Sequence, residues 1–114
     1  MYTLIEPERI FHFFDDVETV NEMLNLILLT NVEELKSLQQ IYNSGDYDKT
    51  RKTCHKSKPT MLYLGASRMK NSLEKLERNI PEKFNLLYPV FLEELILLET
   101  EVKAFLKEVN SRAF

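Results

Sequence analysis

Glycine is nearly missing from this chain: Gly45 and Gly65 are the only two in 114 residues. So few permissive positions leave little room for tight turns and argue against a fold of many short strands. Cysteine occurs once, as Cys54. No internal disulfide can form, and a reducing cytoplasm is the expected setting. No uninterrupted apolar run approaches the roughly 18 residues of a membrane span. The stretch from Met1 to Glu6 has neither a basic nor an apolar segment of the kind that opens a signal peptide. Neither sign of charge dominates: 15 Lys and Arg stand against 18 Asp and Glu, a net charge of −3. A chain so balanced is not built as a whole to coat nucleic acid or an anionic membrane.

What is present is helical spacing. Hydrophobic residues make up 44% and charged residues 29%, ordinary values for a globular chain of one domain, 1–114, which at this length can bury a core unaided. Pro7 suits the first position of a short opening helix with Ile10, Phe11 and Phe14 on one side. Asp15 and Asp16 offer an N-cap for a long second helix. Its apolar stripe is Val17, Val20, Leu24, Ile27, Asn31, Leu35, Leu38 and Ile41 or Tyr42. Gly45 and Asp46 end it and cap a third helix, which starts near Tyr47 and buries Tyr47, Thr50, Cys54 and Met61. A break at 63–65 leads to a fourth helix, 66–78, burying Met69, Leu73, Leu76 and Ile80, with Pro81 beyond it. The last helix, 82–109, carries Phe84, Leu87, Phe91, Leu95, Leu98, Val102, Phe105 and Val109, with Pro89 inside it. It is about 42 Å long at 1.5 Å per residue. The fold class is all-α. The spacing predicts an antiparallel up-down four-helix bundle with a short additional N-terminal helix.

The third helix carries the chemistry. With about 100° between successive residues, Leu62 lies about 20° from His55, Arg51 about 40°, and Lys52 and Lys58 about 60° to either side. Asp48 and Pro59 share that face, while Cys54 and Met61 turn inward. His55 is thus expected at the rim, ringed by cations. A neutral imidazole nitrogen is a good nucleophile near neutral pH. Cations one turn away stabilise a phosphoryl group carried on it. A lone His on a basic helix face is nevertheless more often just a solvated residue.

The spacing of His55, Lys58, Leu64, Gly65 and Ala66 resembles the motif of the histidine-containing phosphotransfer (HPt) family. Gly45-Asp46 resembles the turn that precedes the histidine helix there, and Leu73, Leu76 and Glu77 resemble the end of the helix that follows it. The resemblance runs from about Asp16 to Arg78. It implies a phosphorelay carrier of a two-component system and not an enzyme in its own right. His55 would accept a phosphoryl group from a receiver-domain Asp, through Nε2, and pass it to another receiver. Lys58 would stabilise the charge. Arg51, Lys52, Pro59, Leu62 and Glu77 would meet the partner, with Met61 and Tyr63 beside them. The implied partners are response-regulator receiver domains and a hybrid sensor histidine kinase. Mg²⁺ is expected in the receiver and no cofactor in this chain, which is read as a cytoplasmic monomer. The sequence departs from the family at Pro59, where many members have Gly, at Ser57 for Leu and at Cys54 for Ala. Glu77 stands where some members carry a Gln that hydrogen-bonds the imidazole; from sequence, Glu77 can equally pair with Lys58.

The alternative is a helical adaptor that binds a receiver domain through the same face without phosphorylation. Other features point elsewhere only weakly. His12 suits a surface or packing role, and Cys54 and His55 diverge too far on a helix to share a metal. Glu93-Glu94 and Glu99-Glu101 are read as solvated. The basic patch of Lys49, Arg51, Lys52, Lys56 and Lys58 lacks the interleaved aromatics of a nucleic-acid surface.

Overall fold

The computed structural model describes residues 2–112, and among them every regular element is a helix. The elements are α1 (Pro7–Phe13), α2 (Val17–Leu29), α3 (Asn31–Lys36), α4 (Leu38–Asn43), α5 (Tyr47–Tyr63), α6 (Ser67–Arg78) and α7 (Phe84–Arg112). No described helix is long and apolar enough to cross a membrane.

The ends of the helices follow from local chemistry. Pro7 opens α1. Asp16 caps α2 by accepting from the Thr19 N–H at 2.8 Å, and Asp46 caps α5 by accepting from the Lys49 N–H at 2.9 Å. The Thr19 N–H and the Thr19 hydroxyl, both donating to it, hold the Asp16 carboxyl below its usual range. Gly45 and Gly65 both take positive φ, +86° and +67°. At Gly65 the Ala66 N–H reaches the Met61 carbonyl and the Gly65 N–H the Leu62 carbonyl, a left-handed cap that satisfies the last carbonyls of α5.

The expected single second helix is three segments, α2 to α4, separated by Thr30 and Ser37. The Thr30 hydroxyl donates to the Leu26 carbonyl and the Ser37 hydroxyl to the Glu33 carbonyl. Such back-bonding bends helices. The first break changes the phase of the stripe, so Val32 is buried and Asn31 only half-buried. Three further expectations are corrected. Tyr47 is exposed, drawn out against Tyr42 by a ring contact of 5.1 Å. On α7, Tyr88 is buried and Leu87 only partly so, because the Tyr88 hydroxyl donates to the Leu35 carbonyl at 2.7 Å and stacks on Phe84. Glu101 is not solvated.

One continuous core runs from Leu4 to Val109 and includes residues of every helix from α1 to α7. The α2–α3–α4 run packs along α7, α5 packs on α6, α3 and α4, and α6 on α7. Lys36 and Glu99, 2.7 Å apart, tie α3 to α7. The molecule is a rod of 49 × 21 × 20 Å. Its N-terminal segment is clipped on by Glu101, which is 7% exposed and whose carboxylate accepts the N–H groups of Thr3, Leu4 and Ile5 at 2.9–3.1 Å. The Glu6 N–H then donates to the Leu64 carbonyl at 2.9 Å. Tyr2 and Phe11 each meet Phe105 edge-on. The segment before α1 thereby joins α7 to the turn between α5 and α6.

Candidate functional site

Helix α5 owes its orientation to an inner face of small polar residues. Thr50, Thr53, Cys54, Ser57 and Thr60 are all buried. The Thr50 and Thr53 hydroxyls return to the carbonyls of Asp46 and Lys49 at 2.8 Å, so they enter the core without stranded donors. Ser57 Oγ has no hydrogen-bond partner among the described residues. Cys54 is fully buried, and burial pushes its thiol up to about 12, with the Glu77 carboxylate adding to the rise. It is therefore a packing residue and not a thiolate nucleophile.

The opposite face presents His55, whose side chain is 70% exposed. Its Nδ1 lies 3.2 Å from Glu77 Oε2 on α6, and the other oxygen of the same carboxylate, Oε1, lies 2.9 Å from Lys58 Nζ. Glu77 thus does both things that the sequence left open. Lys58 and Glu77 are mostly covered, at 20% and 23% exposure, so this pair is partly shielded from solvent screening. An ionised carboxylate can only accept, so the contact of Glu77 Oε2 with the ring calls for a proton on Nδ1. That tautomer leaves Nε2 with its lone pair and without a protein partner among the described residues.

The remaining site residues divide. Arg51 is placed at the cleft, but its guanidinium donates to the Ile80 carbonyl at 2.9 Å. It secures the α6–α7 loop as much as it charges the site. Lys52 points to solvent and pairs with Asp48 at 3.1 Å. Lys56 turns away to Glu34 of α3 at 2.8 Å. Pro59 and Leu62 are exposed on the His55 side. Pro59 has no N–H to give the His55 carbonyl, yet α5 continues through it to Tyr63. Met61, expected beside them, is fully buried and unavailable to a partner.

Three residues missed in the sequence belong to the site. Glu74 and Arg78 line the open cleft with Arg51, His55, Lys58 and Glu77. Their spacing on α6, three before and one after Glu77, was the available signal. Glu74 pairs with Lys70 at 2.8 Å, and that bond holds its carboxyl below the usual range. Phe13 is the third: it meets Tyr63 edge-on at 5.2 Å and, with Tyr63 and Leu62, makes an exposed apolar patch toward the end of α5. Nothing local in the sequence announces it. Among the described residues no three His, Cys, Asp or Glu side chains gather to hold a metal ion.

The arrangement can do one thing well. With a neutral ring it holds a proton on Nδ1 against Glu77, leaves Nε2 with its lone pair, and keeps a cation within a turn. No protein-family model matches the chain, and no curated protein or solved structure is significantly similar to it.

Proposed function

We propose that the chain is a phosphocarrier of the HPt type. The packing of the four long helical runs is read as an antiparallel up-down bundle, with α1 as an additional helix. The observation that carries the proposal is the bridging carboxylate of Glu77, on His55 Nδ1 at 3.2 Å and on Lys58 Nζ at 2.9 Å, beneath an exposed Nε2.

In the transfer step His55 Nε2 attacks the phosphorus of an aspartyl phosphate on a receiver domain. The P–N bond forms as the P–O bond to the aspartate breaks, and the aspartate leaves as carboxylate. The proton stays on Nδ1, held by Glu77, so the product is a ring with a positive charge opposed by that carboxylate. In the return step an aspartate of a second receiver attacks, the P–N bond breaks, and neutral imidazole leaves. Leaving as imidazolate, without the Nδ1 proton, would be far harder. Lys58 is one turn from the phosphoryl oxygens and can leave Glu77 for them. Phosphoryl transfer asks mainly for positioning and charge, and the receiver supplies the acidic pocket and its Mg²⁺. Leu62, Tyr63 and Phe13 form the apolar part of the docking face, with Lys52 and Arg51 at its edge. Kinase activity belongs to a hybrid sensor kinase in the same relay, and the setting is cytoplasmic.

The test is label transfer from a phosphorylated receiver domain, followed by mass. Wild type gains an acid-labile, base-stable phosphoryl group and His55→Gln gains none while keeping its helical spectrum. If the chain binds receivers and acts in the relay equally well as His55→Gln, it is an adaptor and the carrier proposal fails.

A further inference from the structure

The cations around His55 are committed, with one exception. Lys58 is on Glu77 at 2.9 Å and Arg51 on the Ile80 carbonyl at 2.9 Å. Lys52 is on Asp48 and Lys56 on Glu34. Arg78 is the exception. It is the last residue of α6, is exposed, and lines the same open cleft as the imidazole. Among the described residues its guanidinium makes no hydrogen bond and no ion pair. Its charge does reach Glu74: that carboxyl is held down first by the Lys70 bond, and the charges of Lys58 and Arg78 add to the effect.

The cleft holds about 460 Å³ and is lined by three cations, Arg51, Lys58 and Arg78, against two carboxylates, Glu74 and Glu77, a sum of one positive charge while the ring is neutral. A phosphoryl group brings about 1.5 to 2 negative charges and three acceptor oxygens. To reach those oxygens Lys58 must leave Glu77, and Arg51 must leave the Ile80 carbonyl. Each gives up a charge-assisted hydrogen bond. Arg78 gives up only water. Its planar fork also offers parallel N–H groups that match two oxygens of one phosphoryl group, where a lysine is a point charge.

We infer that Arg78 is a second catalytic cation of the transfer, gripping two oxygens of the phosphoryl group on His55 Nε2 while Lys58 takes the third; the inference rests on the carrier reading above. Arg78 exchanges no proton. Its N–H groups oppose the charge on the equatorial oxygens as the P–O bond to the receiver aspartate breaks and the P–N bond forms. The competing account is structural: with Lys75, Arg78 complements the C-terminal end of α6. That role moves stability and leaves the rate of transfer alone.

The test measures transfer at increasing concentrations of a phosphorylated receiver domain. Wild type, Arg78→Ala and Arg78→Lys are compared, each checked for an unchanged helical spectrum. Arg78→Ala is expected to lower the limiting rate about 10- to 100-fold at an unchanged half-saturating concentration. Arg78→Lys recovers part of the loss, because it returns the charge without the fork. In the isotope-labelled chain the Arg78 Nε–H resonance shifts when His55 is phosphorylated. An unchanged limiting rate in Arg78→Ala overturns the inference. A rise in the half-saturating concentration alone overturns it too, since Arg78 then only docks the receiver. A resonance that ignores phosphorylation overturns it as well. Wild type that takes up no label is a separate result: the carrier proposal itself then fails, and this inference falls with it.

Discussion

Replacing Gly65 by Ala tests how α1 is held. The residue sits at φ +67°, where a side chain costs about 1–2 kcal/mol. A Cβ there would also stand 2.6 Å from Glu6 Cβ, 3.0 Å from Arg9 Cβ and 3.2 Å from the Glu6 nitrogen. Forcing such an overlap into packed structure costs about 1–3 kcal/mol more. The expected loss is therefore about 2–5 kcal/mol, a large part of the stability of a domain this size. Gly45 supplies the control. Its φ is +86°, and nothing lies within 4 Å of a Cβ built on it. Gly45→Ala should lose only the backbone part, about 1–2 kcal/mol. Urea titration of both variants gives the difference from the midpoints, provided the slopes agree. The double variant Gly65→Ala with Glu6→Gly should lose less than the sum of its single changes, since the nearest atom is gone. Equal losses at Gly65 and Gly45 would refute the close approach of α1 to the α5–α6 turn and leave only the left-handed backbone at work.

Other outcomes are expected at the site and in the core. Glu77→Ala removes both the acceptor of the Nδ1 proton and the partner of Lys58, so transfer should slow by roughly 100-fold, measured as the rate of label gain from a phosphorylated receiver. Cys54 should resist thiol reagents at pH 8 in the folded chain and react at once in urea. The thiol and the Tyr88 hydroxyl are both pushed up to about 12 by burial. Both groups lose their protons more easily when unfolded, so the stability they lend is whole below pH 9, the ordinary value of the thiol, and is lost as pH rises toward 12. The limiting slope is about 1.4 kcal/mol per pH unit per group, which urea titration across that range should show. Glu101→Ala strands the N–H groups of Thr3, Leu4 and Ile5. It should cost about 3 kcal/mol in urea titration and open residues 3–13 to hydrogen exchange, because buried donors without acceptors are expensive.

What could be read in the chain was read through local chemistry. Pro7, Asp16, the Gly45-Asp46 turn and Gly65 act within a few residues of themselves, and each stands where the sequence put it. The stripe of α7 was equally plain, since a period of 3.6 survives over 29 residues. The breaks at Thr30 and Ser37 were missed although their hydroxyls are a local signal, because a stripe that alternates three and four tolerates a small change of phase. Glu101 was missed for a different reason. Its helix position is unremarkable, and its burial depends on three backbone donors from the other end of the chain. At the candidate site, periodicity placed His55 outward and Cys54 inward. It did not reach Glu77's double contact or the anchoring of Arg51 on Ile80, which arise between helices and leave no trace in spacing.

The clip at Glu101 has a consequence for the order of assembly. Its hydrogen bonds join residues separated by 96, 97 and 98 positions. During synthesis the caps of α2 and α5 can close as soon as their own turns emerge. Residues 3–5 instead wait for most of α7, and until then three consecutive backbone donors have only water. Contacts of such long sequence separation close a loop at high entropic cost. The N-terminal strap is therefore made early and fastened late. In the folded molecule it is expected to be the first piece to loosen and the last to return, a small cooperative unit on a more stable body.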